Sequence, residues 1–254
     1  MRILLARDRV PMLAESLIYA RSYGRTPAAF RPYLVDAVGL WARGRRQFRA
    51  WTPHLNKTLA VLDTTIDDIR SRRTVAVLGS GPLFDVPIES LARTFGRVLL
   101  IDLAHLSTTD ARIARYTNIE RLWRDLAPEG EPHPLAFLAD IPDLDWVISV
   151  NLLSQIGRAA AEGAERAAID AHLDGLTALP APVTLVTDID YRIFDRAGTL
   201  LEDVDMLYGR RLPPPESRWL WEVAPFGEEA TNTRRVHAVV GYPDWRAATK
   251  DFVR

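Results

Sequence analysis

The chain of 254 residues contains no cysteine. Disulfides, thiolate metal sites and cysteine nucleophiles are therefore excluded, and a reducing compartment, the cytoplasm, is the expected location. Lysine is nearly absent too, because Lys57 and Lys250 are the only two, and we attribute the excess of arginine to a compositional bias of the source. No apolar run reaches the roughly 20 residues that cross a bilayer, so no membrane association is expected. The short apolar run at 3–5 meets charged residues too early for a signal-peptide core.

Missing motifs narrow the chemistry further. The five histidines have no metal-ligand spacing and no His-Glu-x-x-His motif occurs, so we expect no metal requirement. A Gly-x-Ser-x-Gly elbow is absent, and so is a glycine-rich phosphate loop that ends in Gly-Lys-Ser/Thr. Serine hydrolases with such an elbow and P-loop nucleotidases are therefore disfavoured.

The net charge of −1 hides an asymmetry along the chain. Residues 1–73 hold 14 Lys and Arg against 6 Asp and Glu, a charge of +8, while residues 74–254 carry −9. Arginines alternate with Trp and Phe at 41–51, a composition that suits nucleic acid as well as helix packing. Because the two parts have opposite charges, docking of the first on the second is favoured, and nucleic acid is the less favoured partner.

The amino-terminal part has helical periodicity. Apolar residues recur at spacings of three and four over 14–23, 32–41 and 54–69, and Pro32 suits the first turn of the second helix. Nothing in this part alternates with period two. We therefore predict a helical segment at 1–73 that is followed by a different kind of domain at 74–254.

From residue 74 onward, short buried strands alternate with helices. Strands are predicted at 74–78, 97–102, 119–123, 146–150 and 183–187, with helices at 85–95, 111–116 and 159–179. Two further strands, 219–223 and 235–240, have no helix between them, which indicates an antiparallel pair at one edge. The predicted fold is α/β: a doubly wound, mostly parallel seven-stranded sheet with a C-terminal antiparallel strand pair, preceded by the helical segment.

A glycine-rich turn, Gly79-Ser80-Gly81, joins the first buried strand to a helix. Glycines there let the backbone turn sharply and approach a ligand, while the start of the helix supplies N–H groups. Asp102 follows Gly79 by 23 residues and ends the second strand. A carboxylate at that spacing is suited to accept hydrogen bonds from both hydroxyls of a ribose.

These motifs resemble those of the class I S-adenosylmethionine-dependent methyltransferases. The run 75–81 looks like the first motif of that family, 98–102 like its ribose-binding strand, and 145–153 like its fourth-strand motif. The resemblance covers 74–243 and implies a Rossmann-like fold with S-adenosylmethionine as cofactor. It also implies that 1–73 is a helical lid or substrate-binding segment and that 74–254 is the cofactor-binding domain. The cofactor-binding residues that it implies are Gly79, Ser80, Gly81, Asp102, Leu103, Asp125, Leu126 and Asn151.

The chain departs from the family pattern at several positions. Leu83 stands where the third glycine is usual, and Val77 replaces the usual acid before the first glycine. Leu152 and Leu153 follow Asn151, where amino-methylating members have aromatic residues. The acceptor and the atom that is methylated therefore stay open, as does the oligomeric state.

Methyl transfer from a sulfonium depends mainly on alignment, and a general base is needed only for a poorly ionised acceptor. Polar side chains at the ends of the second and fifth strands are the catalytic candidates: His105, Asp188 and Tyr191. The candidates for contact with a small-molecule substrate are Gln155, Tyr19 and Tyr23.

Two other functions compete with a methyltransferase. A nicotinamide-dependent oxidoreductase would use the same glycine turn, but the missing third glycine and the closing strand pair count against it. A non-catalytic cofactor-fold module would bind RNA or a protein partner through the basic helices, with strong salt dependence for RNA.

Overall fold

A computed structural model describes residues 13–250 and 252. The apolar run at 3–5, which the sequence indicates is no signal peptide, lies outside the described residues. The first part consists of α1 (Leu13–Tyr23), α2 (Leu34–Arg46) and α3 (Phe48–Asp68), with a 3-10 helix, Ala28–Tyr33, before α2. The predicted start of α2 at Pro32 is wrong, because this proline lies in the 3-10 helix and α2 begins two residues later.

The sheet has eight strands in the order β3-β2-β1-β4-β5-β8-β7, with β6 paired to β5. Their bounds are β1 (Thr74–Leu78), β2 (Arg97–Asp102), β3 (Ile119–Trp123), β4 (Leu144–Val150), β5 (Val183–Asp195), β6 (Leu200–Asp205), β7 (Ser217–Ala224) and β8 (Thr233–Tyr242). Strands β1 to β5 pair in parallel, while β8 pairs antiparallel with both β5 and β7. The predicted doubly wound sheet and its closing antiparallel pair are confirmed.

The predicted number of seven strands is wrong. Strand β5 runs for 13 residues instead of ending at Thr187, and its second half pairs with β6, which the sequence pattern did not reveal. That half is only partly buried and carries charged side chains, so it lacks the continuous apolar run that marks a central strand. The extension carries β5 beyond the ends of β1 and β4.

The helices of the second part are α4 (Ile88–Thr94), α5 (Ser107–Ile113), α6 (Leu153–Ala159), α7 (Glu165–Ala178) and α8 (Trp245–Thr249). The single helix predicted over 159–179 is wrong, because the chain breaks around Gly163, which has a φ of +83° that favours glycine. The helix predicted at 111–116 begins earlier, at Ser107, so α5 directly follows the loop after β2.

A hydrophobic layer covers each face of the sheet. One layer lies beneath α7 and α8 and includes Leu173, Leu176 and Trp245. The other lies beneath α3 and α4 and includes Leu62, which is fully buried. Helix α3 therefore belongs to the core of the sheet domain, although it precedes the first strand by several residues.

The basic amino-terminal helices dock on an acidic loop between β7 and β8. Arg46 donates to Glu228 at 2.8 Å, and Arg43 lies 3.1 Å from Glu229. The indole N–H of Trp51 donates to the carbonyl of Val223 at 3.0 Å. These contacts confirm the docking that the opposite charges predicted. Whether the helices act as a lid or as a substrate-binding segment stays a prediction.

Among the residues that the structure describes, no helix combines the length and hydropathy required to cross a bilayer.

Removal of the Leu62 side chain tests whether α3 is part of the core. We expect Leu62→Ala to lower the free energy of unfolding by about 2–5 kcal/mol, because a fully buried leucine leaves a cavity. Urea unfolding measures it. Leu201→Ala is the matched control, since Leu201 is 55% exposed and its loss should change stability by less than about 0.5 kcal/mol. Equal effects of the two substitutions would contradict the docked position of α3.

Candidate functional site

The carboxyl ends of β1 and β4 meet where the strand order reverses. Strand β1 pairs with β2 on one side and with β4 on the other, so the chain winds outward in both directions from this pair. Open α/β sheets bind ligands at such a switch point. The loops after β1, β2, β4 and β5 therefore form the candidate site.

The loop after β1 has the backbone that a glycine turn allows. Gly79 and Gly81 have φ angles of +66° and +51°, in the left-handed region. Asp102 hydrogen-bonds to this loop, because one of its carboxylate oxygens accepts from the N–H of Gly81 at 2.8 Å. The other oxygen accepts from the N–H of Ala104 at 3.0 Å. The hydroxyl of Ser80 is buried without a hydrogen-bond partner among the described residues. Turn and carboxylate, predicted from their spacing, are thus in direct contact.

Leu83 keeps the conformation of the glycine that it replaces. Its φ is +61°, and its side chain is fully buried in the layer under α3 and α4. A left-handed leucine costs roughly 1–2 kcal/mol, which the buried side chain offsets. The loop therefore retains its shape without a third glycine.

The residues predicted for the adenine side lie after β2 and β3. Asp125 accepts from the N–H of Ala127 at 2.9 Å, so one of its oxygens shapes the local turn. Leu126 packs in the hydrophobic layer beneath α7, whereas Leu103 is half-buried. Asp125 and Leu103 thus remain partly accessible to a ligand, whereas the side chain of Leu126 belongs to the hydrophobic core.

His105 is part of the wall between β2 and β3. Its Nε2 donates to the carbonyl of Leu122 at 3.3 Å, and its ring packs edge-on against Trp123. Burial lowers the pKa of His105, so the ring is neutral. Strands β1 and β4 separate it from Asp188 on β5, so the structure does not bring these two catalytic candidates together.

Asn151 follows β4 and projects its amide into a buried polar cluster. The residue has a φ of +52°, which asparagine tolerates better than most residues. Its side-chain amide lies 2.7 Å from Oδ2 of Asp85 and 3.2 Å from Nε2 of His54, which reaches in from α3. The fourth-strand position thus links the loop after β1 to the amino-terminal helices.

The partners of His54 determine its tautomer. The indole N–H of Trp219 can only donate, so Nδ1 of His54 accepts at 3.1 Å. Burial lowers the pKa of His54 to about 3, so the neutral ring carries its proton on Nε2. That N–H needs an acceptor. If the oxygen and nitrogen of the Asn151 side-chain amide exchange places, the amide oxygen accepts this hydrogen bond. In this orientation the amide oxygen would also lie 2.7 Å from Oδ2 of Asp85, a contact that requires a proton on one of the two oxygens, and burial raises the pKa of the Asp85 carboxyl in that direction.

A second buried cluster lies at the end of β5, around the carboxylate of Asp188. The hydroxyl of Ser154 donates to one oxygen at 2.5 Å, and Nδ1 of His237 lies 2.7 Å from the other. Burial alone would raise the pKa of Asp188, but its hydrogen bonds with His237 and Ser154 bring the pKa below its usual range. Asp188 is therefore ionised, and Nδ1 of His237 carries a proton.

Trp221 joins the two clusters. Its ring stacks on that of His54, with centroids 4.0 Å apart and planes 8° from parallel, and meets His237 edge-on at 5.8 Å. Tyr191 stacks on the other side of His237 at 5.6 Å, while its hydroxyl donates to Glu202 on β6. The structure thus brings Asp188 and Tyr191 together around His237.

The predicted substrate contacts lie apart from these clusters. Gln155 is exposed and donates to the backbone carbonyl of Asn151 at 2.5 Å, at the rim of the site. Tyr19 and Tyr23 lie on α1, which packs against α2 and α5, and Arg31 lies over the ring of Tyr23. The two tyrosines are therefore near the loop after β2, and they do not contact the Asn151 cluster in the structure.

Sequence reasoning gave no role to His237, Ser154, Trp219, Trp221 or Asp85. A faint signal existed in the period-two placement of Trp219 and Trp221, which puts both rings on one face of β7. No local pattern pairs that face with His54, which is 165 residues away in sequence from Trp219.

Within 13–250 and 252, no group of three or more His, Asp or Glu side chains is arranged to hold a metal ion.

No protein-family model matches the chain, and no curated protein matches it either. Among solved structures, the N-methyltransferase NodS from Bradyrhizobium japonicum with S-adenosylhomocysteine is 14% identical; the match covers 74% of this chain and 87% of that chain, with a TM-score of 0.38. The 1,6-didemethyltoxoflavin-N1-methyltransferase from Burkholderia thailandensis is 14% identical over 94% of this chain and 93% of that chain, with a TM-score of 0.44.

A protein named as a Zn-dependent alcohol dehydrogenase from Rhodobacter sphaeroides is 19% identical over 50% of this chain and 45% of that chain, with a TM-score of 0.34. Methyltransferases are thus among the solved structures to which this chain is similar, as its motifs predict. At these identities and TM-scores the likeness says nothing about activity or acceptor.

The neutral, buried state of His54 predicts a pH dependence of stability. Between pH 6.5 and about 3 the unfolded chain binds a proton at His54 that the folded protein does not bind. The free energy of unfolding should therefore fall as the pH is lowered through this range, by up to about 1.4 kcal/mol per pH unit from this residue. Urea unfolding across the range should give a shallower slope for His54→Gln than for the wild type.

His133→Gln is the matched control, because His133 is exposed and its removal should leave the slope unchanged. Equal slopes for the wild type and His54→Gln would contradict the assignment of a neutral His54.

Proposed function

We propose that the chain is a class I S-adenosylmethionine-dependent methyltransferase that acts on a small-molecule acceptor. The observation that carries the proposal is the contact between the loop after β1 and the carboxylate that ends β2. Gly79 and Gly81 both have positive φ angles, and Asp102 accepts the N–H of Gly81 at the switch point of the sheet. A glycine turn and a ribose-binding acid in contact form the core of a nucleoside site.

The residues present fit such a cofactor. Each oxygen of Asp102 accepts one backbone N–H and so retains a lone pair for a ribose hydroxyl. A Cβ on Gly81 would meet only the carbonyl of Gly79, at 3.9 Å, which leaves open space beside the turn. The buried hydroxyl of Ser80 has no partner within the described part of the chain and is available to a polar group. Asp125 and Leu103 would lie on the adenine side, and Asn151 on the side of the acceptor.

The cofactor would supply an activated methyl group, and the chain would supply alignment and exclusion of water. Proximity and orientation can contribute about 7–11 kcal/mol to such a transfer. Helix α3 packs on β7 and also contacts β5 and β8, and its buried residues include Trp51 and His54. A site closed by packed aromatic rings suits a small molecule better than a macromolecule. The absence of cysteine fits a reducing compartment such as the cytoplasm.

The basic helices favour this proposal over a nucleic-acid module. Arg43 and Arg46 are paired with Glu228 and Glu229, and Arg45 lies over the ring of Trp41. Phosphate groups would have to compete with these contacts. The left-handed Leu83, fully buried, fills the place of the third glycine that lets a nicotinamide site pack closely.

Binding of the demethylated cofactor tests the proposal. We expect S-adenosylhomocysteine to bind the wild type in isothermal titration calorimetry. Asp102→Ala should weaken binding by about tenfold or more, because hydrogen bonds to a carboxylate are worth roughly 1.5–3 kcal/mol. Asp63→Ala is the matched control, since Asp63 is an exposed carboxylate on α3 and its loss should not change affinity.

Absence of binding by the wild type would contradict the proposal. Thermal stabilisation by NADH but not by S-adenosylhomocysteine would favour an oxidoreductase instead. Melting curves of both variants without ligand show whether Asp102→Ala disturbs the fold, because Asp102 also holds the N–H groups of Gly81 and Ala104.

A further inference from the structure

Three buried polar atoms at or near Trp221 have no hydrogen-bond partner among the residues that the structure describes. They are Nε2 of His237, the indole nitrogen of Trp221 itself and the unpaired end of the Asn151 amide. Unpaired buried polar atoms are costly and uncommon in folded proteins. Three in one region, just beyond the carboxyl end of β4 and midway along β8, indicate a place where a ligand completes the hydrogen bonds.

The contacts around this place form a closed circuit. Asn151 contacts His54, His54 stacks on Trp221, and Trp221 meets His237. His237 then bonds Asp188, which accepts from Ser154 in the first turn of α6, just after Asn151. The circuit therefore begins and ends at the loop after β4, beside the glycine turn.

His237 is oriented for proton transfer. Its Nδ1–H is held by the ionised Asp188, so Nε2 is the ring nitrogen that faces away from this pair and can accept a proton. The titratable and charged groups that act on it are Asp188, Asp190 and Tyr191 on β5 and His54 on α3. The residue is 5% exposed, and the rings of Tyr191 and Trp221 flank it.

We propose that His237 is the general base for the methyl acceptor, with Asp188 and Ser154 as positioning residues, and that the acceptor is an aromatic molecule with a hydroxyl or ring N–H. The inference rests on the proposed function. The acceptor O–H or N–H bond breaks and its proton goes to Nε2 of His237. The freed electron pair forms the bond to the methyl carbon, and the carbon–sulfur bond breaks with its electrons left on sulfur.

We infer an aromatic acceptor from the side chains that flank His237. Tyr191 and Trp221 present rings on either side of His237, a setting that suits a planar molecule. The indole N–H of Trp221 has no partner among the described residues, so it is left to hydrogen-bond a polar atom of the acceptor. A thiolate or a carboxylate is already ionised and would need no base.

Imidazole nitrogen NMR tests the inference without a known substrate. In the complex of full-length protein with S-adenosylhomocysteine at neutral pH, we expect His237 to carry its proton on Nδ1, with Nε2 unprotonated. Addition of phenol as a probe should move the Nε2 resonance toward the protonated position. His172, buried beneath α7, is the internal control and should not move.

Ser154→Ala separates positioning from simple packing. Loss of its hydrogen bond leaves Asp188 with His237 as its remaining side-chain partner, so the Nδ1–H proton resonance of His237 should shift, a change that a merely space-filling Ser154 would not cause. His237→Gln should leave the affinity for S-adenosylhomocysteine unchanged, because His237 lies on the acceptor side. With any phenol that the wild type methylates, His237→Gln should lower turnover by about 100-fold or more.

The two proposals fail in different ways. Absence of S-adenosylhomocysteine binding in the wild type contradicts the proposed function. Normal binding with Nε2 protonated at neutral pH, or with no shift at His237 up to the solubility limit of phenol, overturns the role of His237 alone. An unchanged Nδ1–H resonance of His237 in Ser154→Ala overturns the positioning role of Ser154.

Discussion

The packing around the proposed acceptor site depends on the buried, ionised carboxylate of Asp188. A carboxylate that is only 4% exposed is costly unless it is paired and hydrogen-bonded. Ser154 and His237 meet this requirement from α6 and β8, which fixes the start of α6 and the register of β8 beside β5. The bulge between Asp188 and Asp190 belongs to the same arrangement, because it redirects β5 where the strand leaves the core.

The glycine turn and Asp102 form a second, separate polar unit on the other side of β1. This unit consists of backbone N–H groups and one carboxylate at an accessible edge, whereas the Asp188 unit is buried beneath aromatic rings. Asn151 stands between the two, bonded to Asp85 of the loop after β1 and to His54 of α3. A nucleoside cofactor and an acceptor placed on these two units would meet at Asn151.

Docking of the amino-terminal helices completes the acceptor side. Salt bridges between arginines of α2 and the loop at 225–232 place α3 against β7, and that contact brings His54 to Trp219 and Trp221. Exposed ion pairs are individually weak, so the buried contacts of Leu62 and Trp51 provide most of the stability of this docking. The opposite charges of the two parts of the sequence therefore correspond to ion pairs between α2 and this loop.

Local pattern determined much of the fold and one half of the site. The bounds of β1, β2 and β3 follow from short buried runs, and the turn at Gly79 with Asp102 follows from spacing alone, because strand–turn–helix geometry is encoded within about thirty residues. Only the tertiary structure decided the extension of β5, the presence of β6 and the meeting of His54, Asp188 and His237. Those features depend on strand register and helix docking between residues far apart in sequence, and hydrophobic periodicity within a short window carries no information about either.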